Sequence, residues 1–317
     1  MTRWLLAGFA ALFSTLALSQ GFPERPVRII VPLTPGGSPD TIARALAASL
    51  PGVWTQPVVV ENRPGGSQNI GADLVAKSAP DGHTWLLAPD NVFAVNPHLG
   101  KQPFDPLADF IPITQLARIQ FLLVVHPSLP VSTVGELVAY AKSRPGELNH
   151  GSSGNGSPQH LGAAMLQLLT GTKMNHVPYK GAAPAVADLL PGRIQVWIGA
   201  ANTLLPHIKE GKLKLLASSA PTRFPNLGNT PTIAESVPGY GLDPWLGLFV
   251  PAKTPMALVE KIHSEATKIV NAPELKSKLA AHGIMIETNS PAEFARSIRE
   301  DNARWGKVIK DAGIKGE

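Results

Sequence analysis

Residues 27–50 read VRIIVPLTPGGSPDTIARALAASL, and their order decides the fold. Val27 to Pro32 is a short apolar run, the pattern of a strand buried on both faces. Thr34 to Asp40 is a turn built from proline, glycine, serine and aspartate. From Thr41 to Leu50 the apolar Ile42, Leu46 and Leu50 recur every four residues and mark one face of a helix. Ser38 is the expected N-cap, with Pro39 in the first helical position, where a missing N–H costs nothing. Strand, glycine-rich turn and helix in that order form the unit of an α/β fold with a mostly parallel sheet flanked by helices.

The same unit recurs along the chain. Val58 to Glu61 reads as a strand, 62–66 as a turn, and a helical stretch runs to Lys77 before a strand at His83 to Ala88. A second set begins with a strand at Ile119 to Val125 and a helix at Val134 to Lys142. Leu148 to His150 then leads into GSSGNGSP at 151–158, and a helix follows with Leu161, Ala164, Met165, Leu168 and Leu169 as its apolar stripe. Strands are expected at Met174 to Pro178, Ile194 to Ile198 and Leu213 to Ser218, with a helix at Ala182 to Leu190. Longer helices at 255–270 and 291–309 close the chain. The layout predicts two lobes, the first from 21–123 and 222–317, the second from 124–221.

The opening residues stand apart. Arg3 is the only charge before an apolar run from Trp4 to Leu18, and Ala17-Leu18-Ser19 supplies small residues of the kind a signal peptidase reads. A secretory signal over 1–19 is expected, and with it a soluble periplasmic location; the run is too short for a comfortable membrane span. The chain has no cysteine, which excludes disulfides, thiolate metal sites and cysteine nucleophiles. Its net charge of +5 is mild and its lysines and arginines are scattered, so nucleic-acid binding is not expected.

Enzyme signatures fail in turn. Gly66 to Ala72 has glycine spacing like a phosphate loop but lacks its lysine and hydroxyl, and Gly154-Asn155-Gly156 runs on into Ser157-Pro158-Gln159, not into a dinucleotide fingerprint. No G-x-S-x-G elbow and no H-E-x-x-H pair occurs. His83, His98, His150, His160, His176 and His207 each sit alone in sequence, so no metal site, catalytic residue or cofactor is expected. His160 is singled out because it falls in the first turn of the helix after the second glycine-rich loop. Asp40 holds a matching place in the first helix, where it can serve simply as a cap. Trp197 and Trp245 are expected in the core or between the lobes.

Two glycine-rich turns, each opening a helix in a separate unit, are the functional clue. A helix start presents unpaired N–H groups and the positive end of the dipole. Two such ends facing one cleft make an anion site that needs no arginine. Either loop alone reads equally well as a tight turn; the pair is what points to a ligand.

The residues that carry a resemblance are now in view: IIVPLTPGGSPD at 29–40, ENRPGG at 61–66, PDGHTWLLAP at 80–89, PFDPLADFIPIT at 103–114, HGSSGNGSPQHL at 150–161, HVPYKGAAPAVADLLPGRI at 176–194 and WLGLFVPAKTP at 245–255. In this order and spacing the chain resembles the substrate-binding proteins of tripartite tricarboxylate transporters, the Bug family, over nearly all of its length after the leader. The resemblance implies a two-lobed periplasmic binding protein of type II, a small organic carboxylate as ligand, membrane transporter subunits as partners, and a monomer. By position it implies ligand contacts from Pro35, Gly36, Gly37, Ser38 and Asp40 in one lobe and from Ser152, Gly154, Asn155, Gly156, Ser157 and His160 in the other. Asp90 and Asn91 would face the cleft, and Tyr179 and Lys180 could close over it. Three departures stand out: Leu33 where relatives usually carry phenylalanine, Gly66-Ser67-Gln68 in place of a more glycine-rich stretch, and Asp90-Asn91 in place of small hydroxyl residues. An acid at 90 would disfavour a second ligand carboxylate. The same fold would also serve a receptor that signals when loaded, or, less readily, an enzyme acting on a small acid.

Overall fold

The computed structural model describes residues 21–316; the leader assigned to 1–19 lies outside them. The described chain forms two sheets. Strands β1 (Val27–Val31), β2 (Val58–Asn62), β3 (Thr84–Pro89) and β4 (Phe110–Ile119) enter the first. Strands β5 (Phe121–Val125), β6 (Asn149–Ser152), β7 (Asn175–Pro178), β8 (Val196–Ala200) and β9 (Lys214–Ser218) make the second, before β10 (Trp245–Pro251) and β11 (Ile284–Ile286) return to the first. The orders are β11-β4-β10-β3-β1-β2 and β7-β6-β8-β5-β9. In each sheet a set of parallel strands is joined by the strand that follows a crossover, β5 or β10, running antiparallel to both its neighbours. β11 also runs against β4.

Both sheets are buried on both faces, as their apolar runs require. Along β1, Val27, Ile29 and Val31 join one core, while Ile30, on the opposite face, joins another. Along β5, Phe121, Leu123 and Val125 face one core, and Leu122 and Val124 face the other. This two-fold alternation inside an unbroken apolar run separates a central strand from a helix.

The expected strand at Ile119 to Val125 is β5 together with the last residue of β4, a strand from Phe110 that sequence reading did not anticipate. β4 ends at Ile119 in the first sheet, and β5 pairs throughout with β8 and β9 in the second. The sheet change therefore falls at Gln120, a few residues before the expected boundary. The return also comes later than 222. Ile233, Val237, Tyr240 and Leu242 pack into the core of the second sheet, and Ser218 bridges Thr232. Chain direction changes at the end of β9, but apolar packing keeps the following segment with the second sheet until about Asp243.

The two crossings lie side by side: the Ile119 N–H donates to Pro244 O and the Ser219 N–H to Phe121 O. A third link is the helix Pro291–Asp311. Phe294 and Ile298 near its start pack with the first sheet, and Trp305, Val308 and Ile309 near its end pack with the second. Arg304 ties its middle to the return segment by donating to Gly241 O at 2.7 Å.

Candidate functional site

The C-terminal ends of the parallel strands carry the loops between the sheets, where α/β proteins place their ligand sites. After β1 the helix Ser38–Ser49 begins with Gly37 as N-cap in extended conformation (φ −82°, ψ 173°) and no side-chain cap. The N-cap is thus one residue earlier than Ser38. The reason lies in Asp40: its Oδ2 accepts the Gly36 N–H at 3.0 Å and the Arg44 Nε–H at 2.9 Å, so the side chain four residues on closes the turn. Burial alone would raise the Asp40 pKa; the bonds from Arg44 and Gly36 outweigh it and hold the carboxyl below its usual value. Asp40 is a brace inside the loop. The N–H groups of Gly37 and Ser38 find no acceptor among the described residues.

After β6, Ser157 caps the helix Pro158–Thr170 through its Oγ, which accepts the His160 N–H, with Pro158 at the first helical position. Here the glycine amide is also tied from four residues ahead: the Gly156 N–H donates to His160 Nδ1 at 3.2 Å. The Gly154 N–H donates to Ser152 Oγ at 3.1 Å, and Ser157 N–H to Gly154 O. The donors left over in this loop are the N–H groups of Ser153 and Asn155. Gly156 has φ +69°, and a Cβ there would collide with Leu99 of the first lobe. Its glycine is needed for the turn and for the approach of the two lobes, not to offer a free amide.

His150, His160 and His176 are separate in sequence but stacked in space. The ring centroids of His160 and His176 are 3.8 Å apart with planes 9° from parallel, and His150 lies 5.0 Å from His176. β6, β7 and the helix start bring them together. Burial holds all three pKa values down, and neighbouring imidazoles add to it for His160, lowered to about 4, and His150, lowered to about 3. Among the described residues no group of histidine, aspartate or glutamate has a geometry that would hold a metal.

The two loops line two different cavities between the sheets. One, of about 560 Å³, is bounded by Ser153, Asn155, Gly156, Ser157 and Pro158 from the second lobe. Facing them are Ser67, Gln68, Asn69, Asn91, Asn96, Leu99, Gly100, Lys101 and Gln102 from the first. Lys101 is the only charged side chain among the described residues of this lining, and six carboxamides, Gln68, Asn69, Asn91, Asn96, Gln102 and Asn155, are its largest polar group. The other cavity, of about 570 Å³, is bounded by Gly36, Gly37, Ser38, Asp40 and Arg44, by Asn202 at the start of the helix Ala201–Lys209, and by Lys278, His282 and Ile284.

The remaining expected contacts separate. Asn91 lines the first cavity, but Asp90 is buried behind it, its Oδ1 accepting the Asn91 N–H. Burial, then the charge of Asp301, pushes the Asp90 pKa up to about 8, so at neutral pH it is largely protonated and sets no negative charge against a ligand. Tyr179 donates its hydroxyl to Asp188 at 2.9 Å, and its N–H to Ser152 O, which anchors the loop end. Pro35, Ser152, Gly154, Tyr179 and Lys180 line neither cavity. Leu33 packs partly into the first core. Trp197 and Trp245 are buried, as expected.

Sequence reasoning weighed Ser67, Gln68 and Asn69 within a failed phosphate loop and left them out of the expected ligand contacts, although they follow β2 just as Ser38 follows β1 and lead into the helix Asn69–Ala76. Ser67 and Gln68 both have positive φ, +51° and +77°, uncommon for side chains. Asn96, Lys101, Gln102 and Asn202 carry no local signal; only the tertiary fold brings them to the cavities.

Comparison with known proteins agrees with the two-lobed α/β fold. The family model described as "Tripartite tricarboxylate transporter family receptor" matches residues 42–314. The protein BugT of Bordetella pertussis is 34% identical over 99% of this chain and 99% of its own, and the UPF0065 protein of the tcbD-tcbE intergenic region of Pseudomonas sp. strain P51 is 33% identical over 97% and 93%. Among solved structures, R. palustris Rpa4515 with adipate is 37% identical over 93% of this chain and 100% of that one, with a TM-score of 0.80. MatC of Rhodopseudomonas palustris with bound malate is 29% identical over 91% of this chain and 100% of its own, with a TM-score of 0.76. With its two-lobed α/β fold and a family match across most of its length, the chain belongs to the tripartite tricarboxylate transporter receptor family.

Proposed function

We propose that the protein is a periplasmic receptor that captures a small organic carboxylate between its lobes, without chemical conversion, and delivers it to membrane subunits of a tripartite carrier. The observation that carries this reading is the 560 Å³ cavity, lined by Ser153 and Asn155, whose N–H groups have no acceptor among the described residues, and by Lys101, with no carboxylate side chain in the described lining. Such a wall solvates an anion by oriented dipoles. The adipate and malate in the two R. palustris relatives support a carboxylate ligand. Ligand contact is assigned to Ser153, Asn155, Ser157, Asn91 and Lys101, with Gly37 and Ser38 supplying donors at the neighbouring cavity. The lobes are placed at 21–120 with 243–316, and at 121–242. The signal over 1–19 would direct the chain to the periplasm, and intact mass of protein from an envelope fraction tests its removal.

Titration calorimetry of the purified protein against a panel of small mono-, di- and tricarboxylates tests the main reading. At least one acid is expected to bind with one-to-one stoichiometry and to be recovered unchanged. Lys101→Ala is expected to weaken that binding about two- to fivefold, the modest effect of an exposed charge. Absence of binding across the panel, or recovery of a converted acid, overturns the reading.

A further inference from the structure

The three stacked imidazoles lie directly behind the loop that the proposed function assigns to the ligand. His160 Nδ1 accepts the Gly156 N–H, so this nitrogen carries no proton and the ring holds its hydrogen on Nε2. His176 Nε2 lies 2.6 Å from Ser152 Oγ, which also contacts both the N–H and the O of Gly154. His160 thus holds the Gly156 N–H directly, and His176 reaches the N–H and O of Gly154 through Ser152 Oγ. The third, His150, is packed beneath them and buried. The titratable groups that act on His160 and His150 are the other imidazoles of the stack.

We propose that His160, stacked on His176 and accepting the Gly156 amide, is the positioning residue that shapes the Ser152–Ser157 loop, and that a proton on its Nδ1 releases the loop and with it the ligand. The ligand part of this inference rests on the proposed function; the loop part does not. Protonation turns Nδ1 from acceptor to donor, so the Gly156 bond cannot survive it, and it places a cation against a second imidazole at stacking distance. The stack's burial keeps the ring neutral near pH 7. The brace therefore holds at neutral pH and fails on acidification.

The test uses ¹⁵N-labelled protein without ligand, followed by NMR from pH 7.5 to 4. The imidazole ¹⁵N shifts should show His160 as the Nε2–H tautomer, and the hydrogen-exchange protection of the Gly156 amide should fall as that ring protonates. His160→Asn, which puts an amide oxygen near the place of Nδ1 and cannot be protonated, should keep Gly156 protected with a flat pH profile. His160→Phe, which keeps a stacking ring without an acceptor, should lose about tenfold of the protection at every pH. The proposal is overturned if the wild-type ring is an Nδ1–H tautomer. It is also overturned if wild type and His160→Asn lose protection in parallel, or if His160→Phe leaves Gly156 unchanged. Since the wild-type titration needs no variant, a misfolded mutant does not block the test. A binding arm, with whichever carboxylate the panel identifies, should show acid loss of affinity reduced in His160→Asn. No binding with a confirmed brace would remove the ligand assignment alone.

Discussion

The loops after β1 and after β6 solve one problem with two chemistries. Each turns through glycine into a helix, and in each a side chain four residues beyond a glycine reaches back to take its amide: Asp40 for Gly36, His160 for Gly156. The first acceptor is a carboxylate paired with Arg44; the second is a neutral imidazole stacked on another. A carboxylate at a helix start already satisfies the dipole there, so the first loop has less attraction left for an anion. The second loop is braced without charge, and the N–H groups of Ser153 and Asn155, just before its helix, have no acceptor among the described residues. Backbone likeness therefore does not make the loops equivalent, and the proposed carboxylate contacts are assigned chiefly to the second.

The largest contrast is expected at the glycines. Gly156→Val sets a branched side chain at positive φ and drives its Cβ into Leu99, whereas a Cβ at Gly36, also at positive φ (+92°), meets nothing within 4 Å. Gly156→Val should abolish binding in calorimetry and destabilise the fold by about 2–3 kcal/mol in urea titration; Gly36→Ala should cost about 1 kcal/mol, the backbone term alone. Equal losses at the two positions would break the comparison.

Next come the braces themselves. Asp40→Ala leaves the Gly36 amide without its acceptor and Arg44 without its partner, and is expected to cost about 1–3 kcal/mol by chemical denaturation. Asp40→Asn keeps an acceptor and should cost less.

The braces should also differ with pH. His150, His160 and His176 have folded pKa values below that of a free imidazole, so the unfolded chain takes up protons first. Their contribution is full above about pH 6.5 and is lost as pH falls toward 4. Asp40 has a depressed carboxyl pKa, so its contribution is full above its unfolded value near 3.9 and fades only below that. Asp90 acts in the opposite sense: its raised pKa gives stability that is full below about pH 4 and lost as pH rises through about 8. Urea midpoints across pH 4–8 for wild type, His160→Asn and Asp90→Asn separate these slopes. The smallest effect is expected at Lys180, exposed and outside both cavities: Lys180→Ala should change affinity less than about twofold.

Much of this was legible in the chain because it rests on local order. The unit at 27–50 announced a strand, a turn and a helix, and the helix-start argument found both loops before any contact was known. What stayed hidden depends on three dimensions. The end of β4 was joined to β5 because Ile119 and Phe121 are both apolar, and only pairing shows that Gln120 divides two sheets. His150, His160 and His176 read as isolated because strands adjacent in the sheet are distant in sequence. Asp40 and Gly156 were legible by position only: which amides are free depends on side-chain reach, which sequence spacing alone does not decide.

The helix Pro291–Asp311 bears on whether the molecule can be taken apart. Its first half covers the first core with Phe294 and Ile298, and its second half covers the other with Trp305, Val308 and Ile309. A fragment ending before residue 291 would uncover both cores at once, and a fragment of residues 121–242 would lose the seat of Trp305. Neither half is then a self-sufficient module. Evolution can exchange or lengthen the loops at the cleft freely, but it must inherit the two lobes together, with this one helix as their common roof.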